Sequence, residues 1–303
     1  MQPHQGLFFE INEFFWEVLP TVKKRSKKTI GWTLAGCLLA ALMGYIIWGN
    51  VSLEVTQYSL STNRLPQSFS GYRIAQISDL HNAQFGKDNK RLTAKLKEIR
   101  PDIIVLTGDL IDSRKTNCQI AVNFAAQAVK IAPTYYVPGN HEARIDSISQ
   151  FYTKLENVGV TLLFDSNILL KKDQEAIRLA GIVDPDYRTA DPIEETRQAI
   201  EAQMTDASIY TVLLSHRPEQ FHAFAACGVD LALVGHTHGG QFRLPFLGGL
   251  YAPGHGIFPE YDGGIYTKNQ TNMIVSRGLG NSAFPFRLNN RPEIVVVTLY
   301  SEN

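Results

Sequence analysis

The chain has 303 residues, of which 44% are hydrophobic and 19% are charged, a composition that excludes an intrinsically disordered chain. Its 29 Lys and Arg residues balance its 29 Asp and Glu residues, so the bulk charge gives no indication of a nucleic-acid partner. The three cysteines form no spaced pair, which argues against a disulfide framework and a cysteine-based zinc site.

Residues 7–19 have helical periodicity, with apolar side chains on one face and Glu10, Glu13 and Glu17 on the other. Pro20 is expected to end this helix. Two interpretations stay open, a helix lying on a membrane surface and a helix packed on the rest of the protein.

The segment from Thr29 to Trp48 contains no charged residue. Twenty such residues span about 30 Å as a helix, the thickness of a bilayer core. The sequence therefore predicts a cytoplasmic amphipathic and basic segment over 1–28 and a transmembrane helix over 29–48. Cys37 ends a Leu-Ala-Gly-Cys sequence that resembles a lipoprotein cleavage box, and lipidation there is a minor alternative.

The charges on either side of this helix predict its orientation. Residues 23–28 contain five Lys or Arg residues, whereas Arg64 is the only one between Gly49 and Ser70. Because the richer flank stays inside, we expect a single-pass protein of the inner membrane with a cytoplasmic N-terminus and its catalytic domain outside. A domain that faces the cytoplasm is the alternative.

Residues 50–303 have the pattern of one α/β domain, in which apolar runs alternate with helical stretches around a largely parallel core. Residues 51–55 are predicted to form a strand and residues 61–72 a loop. The later predicted strands are Ile74–Ile77, Ile103–Leu106, Tyr135–Val137, Ile177–Ile182, Val212–Leu214, Leu231–Val234, Met273–Val275 and Ile294–Leu299. The predicted helices are Asn89–Ile99, Gln119–Ile131, Ile145–Val158, Pro192–Met204 and Glu219–Ala226.

Five of the predicted strands end in side chains that commonly bind metals, usually beside a glycine. Because sites in α/β sheets lie at the carboxyl ends of strands, we expect the five groups to converge. A single Asp or His after a strand is usually a turn residue, but five in succession indicate a site. In chain order they are Asp79 and His81, Asp109, Asn140 and His141, His216, and the pair His236 and His238.

The order of these motifs, D-x-H, G-D, G-N-H-E, H and G-H-x-H, resembles the calcineurin-like metallophosphoesterases over about residues 71–299. The sequences at residues 239–241, 276–280 and 291–294 resemble the membrane-associated bacterial branch of that family, of YkuE and YaeI type. The resemblance implies an α/β fold, a β-sandwich of two sheets flanked by helices. It also implies hydrolysis of a phosphodiester, phosphomonoester or pyrophosphate by metal-activated water.

The resemblance further implies two divalent metal ions, with Mn, Fe and Zn all compatible with the ligands. One ion would be held by Asp79, His81 and His238, the other by Asn140, His216 and His236, and Asp109 would bridge both.

Other residues of the motif loops would not bind metal in this scheme. His141 would stabilise the transition state or protonate the leaving oxygen. Arg217 either contacts a phosphate oxygen or is a surface arginine, two interpretations that the sequence leaves equal. For Glu142 and Asp112, helix capping or solvation is favoured over a role in orienting the ligands.

Residues 242–262 combine aromatic side chains with glycine and proline and show no period, so they are expected to form a long loop leaving the site. The loop either receives an acyl or polyprenyl chain or covers an ordinary apolar cluster. A lipid-linked phosphate or pyrophosphate is the expected substrate, and nucleic acid is not expected to bind. The alternatives are a UDP-2,3-diacylglucosamine pyrophosphatase of lipid A synthesis and a non-catalytic metal-binding module.

Overall fold

The computed structural model describes residues 27–188, 191–252 and 254–302. The helix predicted over residues 7–19 lies outside them. Their α-helices are α1 (Lys27–Val51), α2 (Lys90–Ile99), α3 (Cys118–Ala128), α4 (Asn140–Ala143), α5 (Ser149–Asn157), α6 (Pro192–Glu201) and α7 (Phe221–Ala226). Among these, α1 is the helix whose length and apolar composition would allow it to cross a membrane.

The strands of the described residues assemble into two six-stranded sheets and two short hairpins. The first sheet has the order β1-β16-β2-β3-β4-β5 and the second the order β14-β15-β9-β8-β7-β6. The strands are β1 (Glu54–Thr62), β2 (Tyr72–Ile77), β3 (Ile103–Thr107), β4 (Thr134–Val137), β5 (Thr161–Leu162), β6 (Ser166–Lys172), β7 (Glu175–Gly181), β8 (Thr211–Leu214), β9 (Leu231–Val234), β10 (Arg243–Leu244), β11 (Gly248–Gly249), β12 (Tyr251–Ala252), β13 (Gly256–Ile257), β14 (Gly264–Lys268), β15 (Thr271–Val275) and β16 (Glu293–Ser301).

The two sheets pack face to face with helices on their outer faces. The sequence of β3 is a continuous apolar run because both faces of the strand are buried. Ile103 and Val105 enter the core between the sheets. The alternate residues Ile104 and Leu106 pack under α2, α3 and α5. On the second sheet, α6 and α7 cover a third apolar cluster. Since side chains alternate along a strand, burial on both faces requires apolar residues at every position. The predicted sandwich is confirmed.

Three local expectations need correction. Helix α1 continues to Val51, so the strand predicted over residues 51–55 begins instead at Glu54 and runs to Thr62, into the predicted loop. Strands β6 and β14, which lie at the two edges of the second sheet, were not predicted. Their side chains are mostly exposed or half-buried, so these strands lack the apolar runs that mark the central ones.

Parallel pairing positions the site. Strands β2, β3 and β4 run parallel in the first sheet, and β8 and β9 run parallel in the second. Within each sheet these strands therefore present their carboxyl ends, and the loops that follow them, along one edge.

Candidate metal centre

Hydrogen bonds donated by backbone N–H groups join loops at the carboxyl ends of these strands. The N–H groups of Asp79 and His81 donate to the carbonyl oxygens of Gly108 and Asp109, both at 3.0 Å. The N–H of His236 donates to Asp79 Oδ1 at 3.1 Å, which links the two sheets. The loops thus hold one another in place, and the convergence expected from the sequence is present.

Five of the seven predicted ligands, all of which lie in the described part of the chain, have positive φ angles. They are Asp79 (53°), His81 (44°), Asp109 (52°), His236 (72°) and His238 (51°). Non-glycine residues seldom adopt this left-handed conformation, and each instance costs about 1–3 kcal/mol unless the surroundings enforce it. Strain concentrated on these residues is typical of a functional site.

The first group of donor atoms meets around Asp79, His81 and His238. His81 Nε2 lies 3.1 Å from His238 Nε2, and His238 Nε2 lies 3.4 Å from Asp79 Oδ1. All three side chains are buried, and their donor atoms lie close enough to hold one ion.

The second group contains Asn140, His216 and His236. His216 Nε2 lies 3.2 Å from both Asn140 Oδ1 and His236 Nδ1. Asp109 connects the two groups, since its Oδ2 atom is 3.4 Å from His81 Nε2 and 3.2 Å from His216 Nε2. One carboxylate oxygen therefore faces donors of both groups.

These distances fit divalent metal ions. Ligands about 2.0–2.2 Å from an ion stand roughly 3–3.5 Å from one another, as these donor atoms do. The outer nitrogen of His216 also fits, because its Nδ1 donates to the Thr107 carbonyl oxygen at 2.8 Å, which orients the ring with Nε2 toward the other donor atoms.

The electrostatics of the buried carboxyl groups agree with this fit. Burial raises the pKa of Asp79. Burial also opposes ionisation of Asp109, yet its pKa stays well below the ordinary value because the protonated His216 ring lies beside it, a proton that a bound metal ion would displace. Two carboxylates enclosed so closely need positive charge between them, which divalent cations supply.

A pocket of about 120 Å³ opens over the ligands, lined by Asp109, Asn140, His141, Arg144, Arg217, His236, His238, Gly254 and Ser282. In its wall, His141 Nδ1 accepts the N–H of Ser113 at 3.0 Å, so the ring proton is on Nε2. Burial lowers the pKa of His141 to about 4, against the opposing charge of Asp109. His141 is therefore a neutral imidazole with an N–H donor.

Arg217 and a residue that the sequence did not single out, Arg144, share a carboxylate at the pocket. Asp186 accepts from Arg217 Nη2 at 2.7 Å and from Arg144 Nη2 at 2.9 Å, and Arg217 Nε also donates to Asp184 at 2.8 Å. Asp186 thus holds two guanidinium groups beside the second donor group. Arg144 follows the G-N-H-E motif by only two residues, but nothing in the local sequence distinguishes it from a surface arginine.

The interpretation of Glu142 as mainly a capping or solvated residue is incomplete. Its side chain is fully buried, and besides the N–H of Gly139 at 2.8 Å it accepts those of Asp109 at 2.9 Å and Ile111 at 3.2 Å. It therefore fixes the loop that presents the shared carboxylate. Asp112 forms an ion pair with Arg114, and its Oδ1 atom lies 3.5 Å from His141 Nδ1.

The predicted loop over residues 242–262 contains two small hairpins, formed by β10 with β11 and by β12 with β13. It stays next to the predicted metal ligands, since the His255 ring lies 5.3 Å from the His236 ring. Several of its large apolar side chains are exposed, so they do not form a cluster beneath the loop.

Comparison with known proteins gives consistent matches. A family model for calcineurin-like phosphoesterases matches residues 72–240, a span that contains all the predicted metal ligands. The uncharacterized metallophosphoesterase YkuE of Bacillus subtilis is 30% identical over 261 residues, 83% of this chain and 87% of that protein. The phosphodiesterase YaeI of Escherichia coli is 26% identical over 233 residues, 75% of this chain and 82% of that protein.

A transmembrane protein with a metallophosphoesterase domain from Danio rerio is 27% identical over 258 residues, 81% of this chain. The matched region is 57% of that protein, so this chain spans little more than half of its length.

Proposed function

The chain belongs to the calcineurin-like phosphoesterase family, and from that membership we propose that it is a membrane-anchored dinuclear-metal phosphohydrolase acting on a lipid-linked phosphoester or pyrophosphate. The observation that carries the dinuclear assignment is the position of Asp109 Oδ2, within 3.4 Å of His81 Nε2 and 3.2 Å of His216 Nε2. A carboxylate oxygen shared by two buried histidine groups is the arrangement that two adjacent cations require.

The predicted ligands fall into the two groups of donor atoms described above. Asp79, His81 and His238 would hold one ion, and Asn140, His216 and His236 the other, with Asp109 shared. When bound, such ions supply an activated water and neutralise charge on the phosphoryl group.

The remaining pocket residues bind and orient the substrate. His141 presents its Nε2–H to a phosphoryl or leaving oxygen, because the N–H of Ser113 occupies Nδ1. Arg144 and Arg217 are held with their guanidinium groups at the pocket by Asp186, where they can hydrogen-bond further phosphate oxygens. A substrate with two phosphate groups would use these arginines most fully.

Membrane anchorage of the domain is supported by α1 and by the flanking charges, which favour an external catalytic domain. A relative described as a transmembrane protein agrees with the anchor. Anchorage brings the pocket to a surface where lipid-linked phosphates are concentrated, which is the reason to favour them over soluble nucleotides.

The test uses the full chain in detergent with Mn²⁺, Zn²⁺ or Fe²⁺. Its substrates are bis-p-nitrophenyl phosphate, p-nitrophenyl phosphate and a lipid pyrophosphate with a short or a long chain. We expect two ions per chain, turnover with at least one metal, and faster turnover of the long-chain lipid. Equal rates for both chain lengths would remove the lipid preference, and absence of turnover with every metal would favour a non-catalytic metal-binding module.

Two variants separate metal binding from chemistry. Asp109→Asn weakens the shared ligand and should remove both ions, whereas Asp146→Asn, at an exposed aspartate, should not. His141→Ala should keep both ions and lower kcat by roughly 10²–10⁴-fold, the usual contribution of a positioned acid or base. His222→Ala, at an exposed histidine, is its control. Loss of metal in His141→Ala would contradict the assignment of His141.

A further inference from the structure

Two loops at the rim of the metal centre carry large apolar side chains that are open to solvent. Phe246 is fully exposed, and Leu247, Ile257 and Phe258 have 66%, 69% and 54% of their surface accessible. Phe284 and Phe286, on the loop before β16, are 39% and 38% exposed. These six residues are called the apolar rim: Phe246, Leu247, Ile257, Phe258, Phe284 and Phe286. Contiguous exposed apolar surface of this kind marks an interaction site.

The two loops form one surface. Phe246 and Leu247 lie at the tip of the β10–β11 hairpin, and Ile257 lies in the β12–β13 hairpin. The ring of Phe242 lies 4.9 Å from that of Phe284 and 5.3 Å from that of Phe286. Paired strands and the contacts of the Phe242 ring with those of Phe284 and Phe286 therefore connect the two loops.

Two exposed residues of the apolar rim have a strained backbone conformation. Phe246 and Phe258 have φ angles of +67° and +54°, in the left-handed region that bulky residues rarely adopt. Neither side chain gains burial within the domain in return. An external apolar phase would stabilise both residues.

The apolar rim borders the pocket. Gly254, between the strands of the β12–β13 hairpin, and Ser282, two residues before Phe284, line the same pocket as Asn140 and His236. Whatever covers the rim therefore lies at the mouth of the site.

The end of α1 is attached to the same region. The Asn50 side chain donates to the Arg287 carbonyl oxygen at 3.0 Å and accepts the Arg287 N–H at 2.8 Å. The Arg291 guanidinium lies 5.0 Å from the Trp48 ring centre. Arg287 directly follows Phe286 in the chain. If α1 spans a bilayer, the loop that carries Phe284 and Phe286 is held where the chain leaves it.

The composition of the apolar rim identifies the kind of partner. Between residues 244 and 260 the only Asp, Glu, Lys or Arg is Glu260, and residues 281–286 contain none. A surface with so little charge suits lipid acyl chains and not charged headgroups or an acidic or basic protein. We propose that the apolar rim inserts into the bilayer that holds α1, so that the pocket opens at the lipid surface. This inference rests on the membrane anchorage in the proposed function.

The test measures insertion in the full chain, reconstituted in phosphatidylcholine vesicles that contain acyl-chain nitroxide lipids. The native Cys37, Cys118 and Cys227 are replaced by alanine, and a fluorescent NBD group is attached to Phe246→Cys or Phe258→Cys. Leu169→Cys is the control, because Leu169 is a similarly exposed apolar residue (45%) on β6, at the opposite edge of the second sheet from β14. All three proteins carry the same α1, so anchorage alone affects them equally.

At positions 246 and 258 we expect a blue-shifted emission and several-fold stronger nitroxide quenching than at position 169. High salt should change neither the emission nor the quenching. Quenching no stronger than at position 169 overturns the proposal, as does quenching that high salt abolishes. The thermal unfolding midpoint of each labelled protein verifies folding, and turnover of soluble bis-p-nitrophenyl phosphate tests the proposed chemistry separately. Folded but inactive protein with a quenched rim would refute the hydrolase and leave the inserted surface standing.

Discussion

Replacement of Glu142 tests how the fold holds Asp109, the proposed shared metal ligand. Glu142→Gln keeps the size of the side chain but removes its charge and one of its two acceptor oxygens. The Gln carbonyl can replace Oε2, which accepts from Asp109 and Gly139, but the NH₂ group then faces the N–H of Ile111. Burial and the charge of Asp109 raise the pKa of Glu142 to about 7, so the comparison is made at a higher pH, where the carboxylate is ionised. One hydrogen bond to a charged acceptor, worth about 1.5–3 kcal/mol, is then lost and two others weaken.

The expected loss of stability is therefore about 2–4 kcal/mol, which corresponds to a decrease in Tm of roughly 5–15 °C for a domain of this size. Because the Asp109 loop would also become less well positioned, we expect metal affinity to fall by about 10–100-fold, as with other residues that orient metal ligands. Tm is measured by calorimetry, metal affinity by titration of the metal-stripped protein, and kcat on bis-p-nitrophenyl phosphate at saturating metal.

Glu156→Gln is the matched control, because Glu156 is exposed on α5 and should tolerate the change. Wild-type Tm together with wild-type metal affinity in Glu142→Gln would refute the reasoning. A loss of kcat with both of those values unchanged would also refute it, since Glu142 would then act on the chemistry and not on the position of Asp109.

Three further changes test the pocket, the close approach of the loops, and the topology. Arg144→Gln should raise KM about tenfold with little change in kcat, whereas Lys154→Gln, at an exposed lysine, should leave steady-state kinetics unchanged. An unaltered KM in Arg144→Gln would exclude Arg144 from substrate binding. Gly235→Ala would place a Cβ 2.0 Å from Ser78 Oγ and 2.3 Å from an Asp79 carboxylate oxygen, so metal content should fall and stability should drop by about 1–3 kcal/mol. The control Gly49→Ala, whose Cβ meets nothing within 4 Å, should change neither, and full metal content in Gly235→Ala would show that Asp79 is not displaced. Alkaline phosphatase fused after residue 303 should be active and green fluorescent protein dark; the reverse pattern would place the domain in the cytoplasm and favour a nucleotide-linked lipid substrate.

The motifs could be found in the sequence because each combines a local strand with the residues that immediately follow it. Asp79, Asp109 and His216 each come within two residues of the end of a buried strand. Apolar runs identify such strands, and parallel strands bring their carboxyl ends together. The family and the two-sheet fold were therefore predictable, and both are confirmed.

The roles of Glu142 and Arg144 could not be predicted in this way. Glu142 bonds Asp109, 33 residues away, and Arg144 meets Asp186, 42 residues away, through loops whose separation depends on the order of strands in the sheets. Strands β6 and β14 were missed for a related reason: an edge strand needs few apolar residues, and pairing with its neighbour defines it.

The sequence by itself therefore determined which side chains could form the site, because residues of metal-binding type at strand ends form patterns a few residues long. It also determined the uncharged segment of α1, because charge and hydropathy are properties of composition. Only the tertiary structure decided which carboxylate oxygen faces both histidine groups, that Glu142 supports it, and that Phe246 and Phe258 point to solvent beside the pocket. These properties depend on distances between segments far apart in the chain. Sheet order and side-chain packing set those distances, and a local sequence pattern carries no information about them.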